Sequence, residues 1–204
     1  MTAPETRKVI VASSNRGKLE EIRSALAFPG WEFVTATDIS AAPLEVEETG
    51  LTFLDNARLK AHAYHEAFGG MAALADDSGL EVDVLGGAPG VRSARYAGGC
   101  CGGDAENNAR LMMELEEVPE AERKARFRSV IVLVGENGDE TVAEGACEGS
   151  IGFAPRGEGG FGYDPLFLPD ATPGRTMAEL TLAEKNEISH RGAALRALKQ
   201  QLGG

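Results

Sequence analysis

The run Met71-Ala72-Ala73-Leu74-Ala75 is apolar throughout and gives way at once to Asp76-Asp77-Ser78-Gly79. An apolar run without polar alternation predicts a short strand buried on both faces, as in sheets covered by helices. That points to an α/β protein. Ligands of such sheets bind beyond the carboxyl ends of the strands, so carboxylates placed there face a crevice and can hold a hard cation. A metal site is therefore one reading of Asp76 and Asp77. The other is a turn, since Asp, Ser and Gly are the usual turn formers. The stretch alone leaves both open.

The chain upstream has a similar pattern. Lys8-Val9-Ile10-Val11-Ala12 is a strand, and a helix follows with Leu19, Ile22 and Leu26 on its apolar face. Between them Ser13, Ser14, Asn15 and Lys18 form a polar turn, where helix-start amides, the Asn15 amide and the Lys18 ammonium can converge on an anion. It is not a Walker loop, and Ser and Asn there also serve as plain caps. Glu32 to Ala36 reads as a second strand, and the loop with Glu45, Glu47, Glu48 and Gly50 as solvated. A helix from Phe53 to Phe68 is capped by Thr52 with Asp55 and stopped at Gly69-Gly70. Leu59 and Ala63 are its expected buried positions, and His62 and His65 its surface histidines.

Beyond the acidic turn, Leu80 to Val84 alternates like a half-buried strand, and Val91 to Tyr96 is a short helix. Asp104 caps the helix containing Leu111 and Leu115. Asn137-Gly138 between two apolar runs predicts a hairpin, with a further strand near Ser150 to Phe153 and a last one at Leu166 to Leu168. The glycine-rich stretch before Tyr163-Asp164 permits close backbone approach to a ligand, with Phe161 or Tyr163 as a stacking face. Thr181 and Glu184 form a capping box for one helix running to Leu202, with Lys185, His190 and Arg191 in its first half. Cations there do not serve the helix dipole as they would at the far end. They suit a ligand; a solvated basic turn is the competing reading.

A formal charge of −12 argues against binding a nucleic-acid polymer non-specifically, which needs a basic surface. It does not exclude a small anion held by a few lysines and a divalent cation. No secretory leader or membrane-spanning run is read in the sequence, so the expectation is a soluble, cytoplasmic protein with no membrane partner. Cys100, Cys101 and Cys147 suggest neither a disulfide framework nor zinc.

Together these stretches resemble the inosine triphosphate pyrophosphatase family. The resemblance rests on Ser13-Ser14-Asn15-x-x-Lys18, Glu47-Glu48-Thr49-Gly50-x-Thr52-Phe53 with Asn56 and Lys60, and Ala75-Asp76-Asp77-Ser78-Gly79-Leu80. It continues through Gly86-Gly87-Ala88-Pro89-Gly90, Ser93-Ala94-Arg95-Tyr96, Gly160-Phe161-Gly162-Tyr163-Asp164-Pro165 and Ala178-Glu179-Leu180. Glu184-Lys185-Asn186 and Ser189-His190-Arg191-Gly192 complete it. It spans nearly the whole chain, in order. Ser14 departs from the family's usual glycine, and the glycine-rich insert carrying Cys100 and Cys101 is unusual.

The resemblance implies a long mixed β-sheet flanked by helices, one domain over residues 1–204 with two lobes around a central cleft, and a homodimer. It implies Mg²⁺-dependent cleavage of non-standard purine nucleoside triphosphates (ITP, dITP, XTP) to a nucleoside monophosphate and pyrophosphate. Glu48 and Asp77 would be the metal-side carboxylates and Asp77 the base for water. Lys18, Lys60 and Asn15 would clamp the triphosphate, and Ser13, Ser14 and Ser78 would be further substrate-binding residues. Phe161 would stack on the base within Gly162-Tyr163, Asp164 and Lys185 would meet its edge, and His190-Arg191 its 6-position.

Overall fold

The computed structural model describes residues 6–13, 15–26, 30–98 and 103–203. Ser14, Cys100 and Cys101 lie outside them. The strands are β1 (Arg7–Val11), β2 (Trp31–Val34), β3 (Ala72–Val82), β4 (Lys124–Val134), β5 (Glu140–Ile151) and β6 (Phe167–Pro169). They form one sheet in the order β2-β1-β3-β4-β5-β6. β1 is parallel to both β2 and β3, with Val9 opposite Phe33 on one side and Ala72 on the other; β5 and β6 are antiparallel. The sheet is therefore mixed, as expected. Among the described residues, no helix is long and apolar enough to cross a membrane.

The chain forms two compact units, 1–77 with 129–144 and 194–204, and 78–128 with 145–193. The first is built on the crossover from β1 through α1 (Arg16–Ala25) to β2, the connection that parallel neighbours require. Its core gathers Val9, Ile22, Leu74, Ile131, Leu133 and Leu195, with α2 (Phe53–Ala67) and, from Ala194 on, α5 (His190–Gln201) as its other helices. The second unit has its own core around Leu80, Leu111, Phe127, Tyr163, Leu166 and Phe167, with α3 (Asp104–Glu114) and α4 (Leu182–Ile188).

The structure corrects several boundaries. No turn interrupts Asp76-Asp77-Ser78-Gly79: β3 runs through them without a break. The acids are accepted inside a buried strand because each finds a cation. The hairpin forms, with Gly135 N donating to Asp139 O at 2.9 Å, but β5 absorbs the separate strand expected from Ser150. Asp104 is the first residue of α3 rather than its cap; its carboxylate accepts instead from Gly162 N at 2.6 Å. On α2 the buried positions are Phe53, Asn56, Ala57, Ala61 and Tyr64, while Leu59 is exposed. The Thr52–Asp55 capping box is present as expected.

The last helix is two helices. α4 stops at Ile188, Ser189 is extended (φ −69°, ψ 154°), and α5 restarts at His190. Ser189 Oγ accepts from Gly192 N at 3.1 Å, so it caps the new helix, and His190 and Arg191 sit on its first turn.

Candidate active site

In a strand successive side chains leave from opposite faces, so adjacent acids in β3 must find different partners. Asp76 accepts from Lys18 Nζ at 2.8 Å and from Ser129 Oγ at 2.5 Å, with its side chain wholly buried. Asp77 Oδ1 accepts from Lys60 Nζ at 2.9 Å, and its Oδ2 from Asn56 Nδ2 at 3.3 Å. Lys60 Nζ also donates to Glu48 Oε1 at 2.9 Å and to the Asp76 carbonyl at 3.1 Å. One ammonium thus marks the point where Glu48 and Asp77 converge. The loop carrying Glu48 is held there by Gly50, whose N donates to Asn56 Oδ1 at 2.8 Å. Glycine is needed, because a Cβ at residue 50 would lie 2.5 Å from that oxygen.

Burial pushes the Asp77 carboxyl above the ordinary carboxylate range, although Lys60 and Lys18 pull against it. Burial also works against the charge of Lys60, but Asp77 and Glu48 outweigh it and hold its proton more tightly than usual. Asp77 is therefore a carboxylate whose proton affinity is enhanced while a fixed cation faces it. Among the described residues no three His, Cys, Asp or Glu side chains form a metal cage. Two converging carboxylates are nevertheless the donor set that Mg²⁺ takes, since it keeps waters and binds through one or two carboxylates plus substrate phosphates. Glu48 and Asp77 fit such an ion.

The turn after β1 is organised as a cap. Asn15 Oδ1 accepts from Lys18 N at 3.0 Å, and Asn15 N donates to Ser13 Oγ at 3.2 Å. The Asn15 oxygen is thereby committed to α1, which leaves the Lys18 side chain to reach Asp76.

The second cluster lies in the other unit. Asp164 Oδ2 accepts from Lys185 Nζ at 2.6 Å and from Phe161 N at 2.9 Å. Gly160, at φ +72°, permits this: a Cβ there would fall 2.1 Å from Asp164 Oδ2. Lys185 Nζ sits 4.6 Å from the Phe161 ring centroid, and the Arg191 guanidinium 5.7 Å. Arg191 donates to Ser78 Oγ at 2.8 Å, and His190 stacks on Phe127 with ring centroids 4.8 Å apart. Phe161 is thus the aromatic face among these cations. Tyr163 is not a second one: it is buried in the core and its hydroxyl donates to the Ser93 carbonyl at 2.8 Å. Gly162 is equally engaged, its N–H on Asp104 and its carbonyl on Asn108 Nδ2 at 2.8 Å.

The structure thus groups Glu48, Lys60, Asp77 and, through Asp76, Lys18 in the first unit. It groups Ser78, Phe161, Asp164, Lys185 and Arg191 in the second. Two contributors were not singled out as site residues from sequence. Ser129, the one hydroxyl of β4, is the partner of Asp76, and its signal was its place in the buried register of Ala125 and Phe127, with which Arg126 and Arg128 alternate. Ser189 sets the position of His190 and Arg191, and its signal was a Ser three residues before Gly192.

Comparison with known proteins matches residues 9–201 to the model of the Ham1 family. The chain is 51% identical to a dITP/XTP pyrophosphatase of Thermus thermophilus, over 94% of this chain and 89% of that one. It is 48% identical to a dITP/XTP pyrophosphatase of Mannheimia succiniciproducens, over 97% of this chain and 98% of that one. Among solved structures, a HAM1 protein from Coxiella burnetii superposes with a TM-score of 0.83 at 43% identity, covering 96% of this chain and 98% of that one.

Proposed function

The chain belongs to the Ham1 family, and from that premise we propose that it is a nucleoside triphosphate pyrophosphatase acting on ITP, dITP and XTP. The reaction is hydrolysis between the α- and β-phosphates, releasing the nucleoside monophosphate and pyrophosphate. The observation that carries this reading is the convergence of Glu48 and Asp77 on one cation position beside two lysines.

Lys18 and Lys60 would bind the phosphate end, where a triphosphate concentrates its charge. Asp77 would take a proton from the attacking water; the water oxygen bonds to the α-phosphorus as the bond to the bridging oxygen breaks, and the pair leaves with pyrophosphate. Its raised proton affinity suits that task. Glu48 and Asp77 would hold Mg²⁺, which when bound neutralises charge on the leaving pyrophosphate. No step needs a covalent enzyme intermediate.

In the second unit Phe161 would stack on the purine, its ring set by the backbone bond to Asp164. Lys185, His190 and Arg191 would face the base as donors. A donor at the 6-position donates to the keto oxygen of hypoxanthine or xanthine and opposes the amino group of adenine, which leaves buried groups unpaired. Cytoplasmic residence and a homodimer belong to the same proposal; sedimentation of the purified chain tests the second.

The deciding experiment is product analysis with ITP, XTP, dITP, ATP, GTP and CTP, each with Mg²⁺ and with chelator. Monophosphate and pyrophosphate from ITP and XTP, only with metal, is the expected result. Orthophosphate with a diphosphate would move the cleavage site. Binding without turnover would make the protein a nucleotide sensor.

A further inference from the structure

Asn56 lies on the first turn of α2 with no exposure to solvent. An apolar residue would fill a buried helix position more cheaply than an amide, which must satisfy both its ends. Asn56 satisfies them on two different segments. Its Oδ1 accepts from Gly50 N at 2.8 Å, on the loop that carries Glu48, and its Nδ2 donates to Asp77 Oδ2 at 3.3 Å, in the middle of β3. The Gly50 N–H can only donate, so it fixes the amide with its oxygen toward the loop and its NH₂ toward Asp77. Asp77 keeps its other oxygen, Oδ1, for the point shared with Glu48 at Lys60 Nζ. The tie also depends on residue 50 lacking a Cβ, which would sit 2.5 Å from Asn56 Oδ1.

We propose that Asn56 is a positioning residue, one buried amide that ties the Glu48 loop to Asp77 and sets the spacing of the two carboxylates. This rests on the reading of Glu48 and Asp77 as the metal-side pair. Outer-shell partners of metal ligands act in this way, by orienting donors they do not replace. Asn56 touches neither substrate nor metal in this role; it works through Asp77 and through Gly50.

The test compares the wild-type chain, Asn56→Ala, Gly50→Ala and the double variant. Mn²⁺ binding to the protein, alone and with a non-hydrolysable ITP analogue, is followed by electron paramagnetic resonance, and kcat and KM for ITP are measured at saturating Mg²⁺, with Tm recorded for each. Gly50→Ala evicts the amide from the other side and serves if Asn56→Ala does not fold. Each folded single variant should lose about 10- to 100-fold in Mn²⁺ affinity and in kcat, with KM for ITP little changed. The double variant should lose no more than the worse single, because both break one tie. A lower Tm with Mn²⁺ affinity and kcat unchanged would make Asn56 a packing residue and overturn the proposal, and so would losses that multiply in the double variant. Absence of Mn²⁺ binding by the wild type both alone and with the ITP analogue would sink the metal reading itself and this proposal with it.

Discussion

Asp76 and Asp77 are adjacent in one strand and held by different lysines, Asp76 by Lys18 from α1 and Asp77 by Lys60 from α2. The strand's alternation produces this division, since each residue step reverses the side-chain direction. A turn at the same place would have left both acids in solvent. In β3 they are buried, so each ion pair lies where water screens it least and each acid has a separate task.

Substituting each acid by its amide should separate those tasks. Asp77→Asn should keep nucleotide binding and lose about 10²- to 10⁴-fold in turnover, the range of a general base. Asp76→Asn should lower Tm more than Asp77→Asn, because it removes the fully buried counter-charge of Lys18. Single-turnover rates and thermal unfolding on both variants check this. Equal Tm losses with equal rate losses would show that the two acids act as one unit.

Phe161 and Tyr163 should likewise part company. Phe161→Ala removes the ring that Lys185 and Arg191 face, and should weaken nucleotide binding by about 1–3 kcal/mol if a base stacks there. Tyr163→Phe loses only the hydroxyl bond to the Ser93 carbonyl and should cost about 1 kcal/mol of stability with turnover intact. Denaturant midpoints and KM for ITP distinguish them. A KM effect from Tyr163→Phe would return that residue to the binding surface.

The Lys185–Asp164 pair is nearly closed to solvent, with side-chain exposures of 5% and 3%. Removing one member should therefore be costly: Lys185→Met is expected to destabilise by about 3–5 kcal/mol, the range for breaking a buried pair. Asp164→Asn combined with Lys185→Met should recover part of that loss, since no uncompensated charge remains. Urea unfolding of the single and double variants measures it. If the double variant is as unstable as the sum of the singles, the pair is not what holds the Phe161 loop.

Much of this architecture was legible in the chain because local signals and tertiary context agreed. The strand at Val9 to Val11, the Thr52–Asp55 box and the Asn137-Gly138 hairpin each form where their residues place them. Disagreement came where a long-range partner overrode a local preference. Asp-Asp-Ser-Gly reads as a turn by propensity, and it is a strand because Lys18, Lys60 and Ser129 arrive from distant segments to satisfy it. The break at Ser189 was faint for the opposite reason, since only a Ser three residues before Gly192 marks it, no proline does, and the apolar spacing continues across it. Residue types alone named Phe161 and Tyr163 as equivalent stacking faces. Only packing, with Tyr163 in the core, tells them apart.

Glu184 shows how acid should reach the second cluster. Its Oε1 accepts from Arg175 Nη1 at 2.8 Å, and its Oε2 from Thr181 N at 2.7 Å, closing the first turn of the helix that carries Lys185. The Arg175 bond first, and then the Thr181 backbone bond, pull its pKa from an ordinary 4.5 down to about 2. A depressed carboxylate binds its proton less tightly folded than unfolded, so its stabilisation is full above the unfolded value. It is lost as pH falls from 4.5 through about 2. The stability gap between wild type and Glu184→Gln should therefore be constant at neutral pH and close across that window. The pair is open to solvent, so added salt should narrow the gap at every pH where it exists. Urea midpoints of the two proteins across the range, at low and high salt, read the effect. A gap that persists at the acid end would mean that the uncharged hydrogen bonds of the cap, and not the ion pair with Arg175, hold the start of α4.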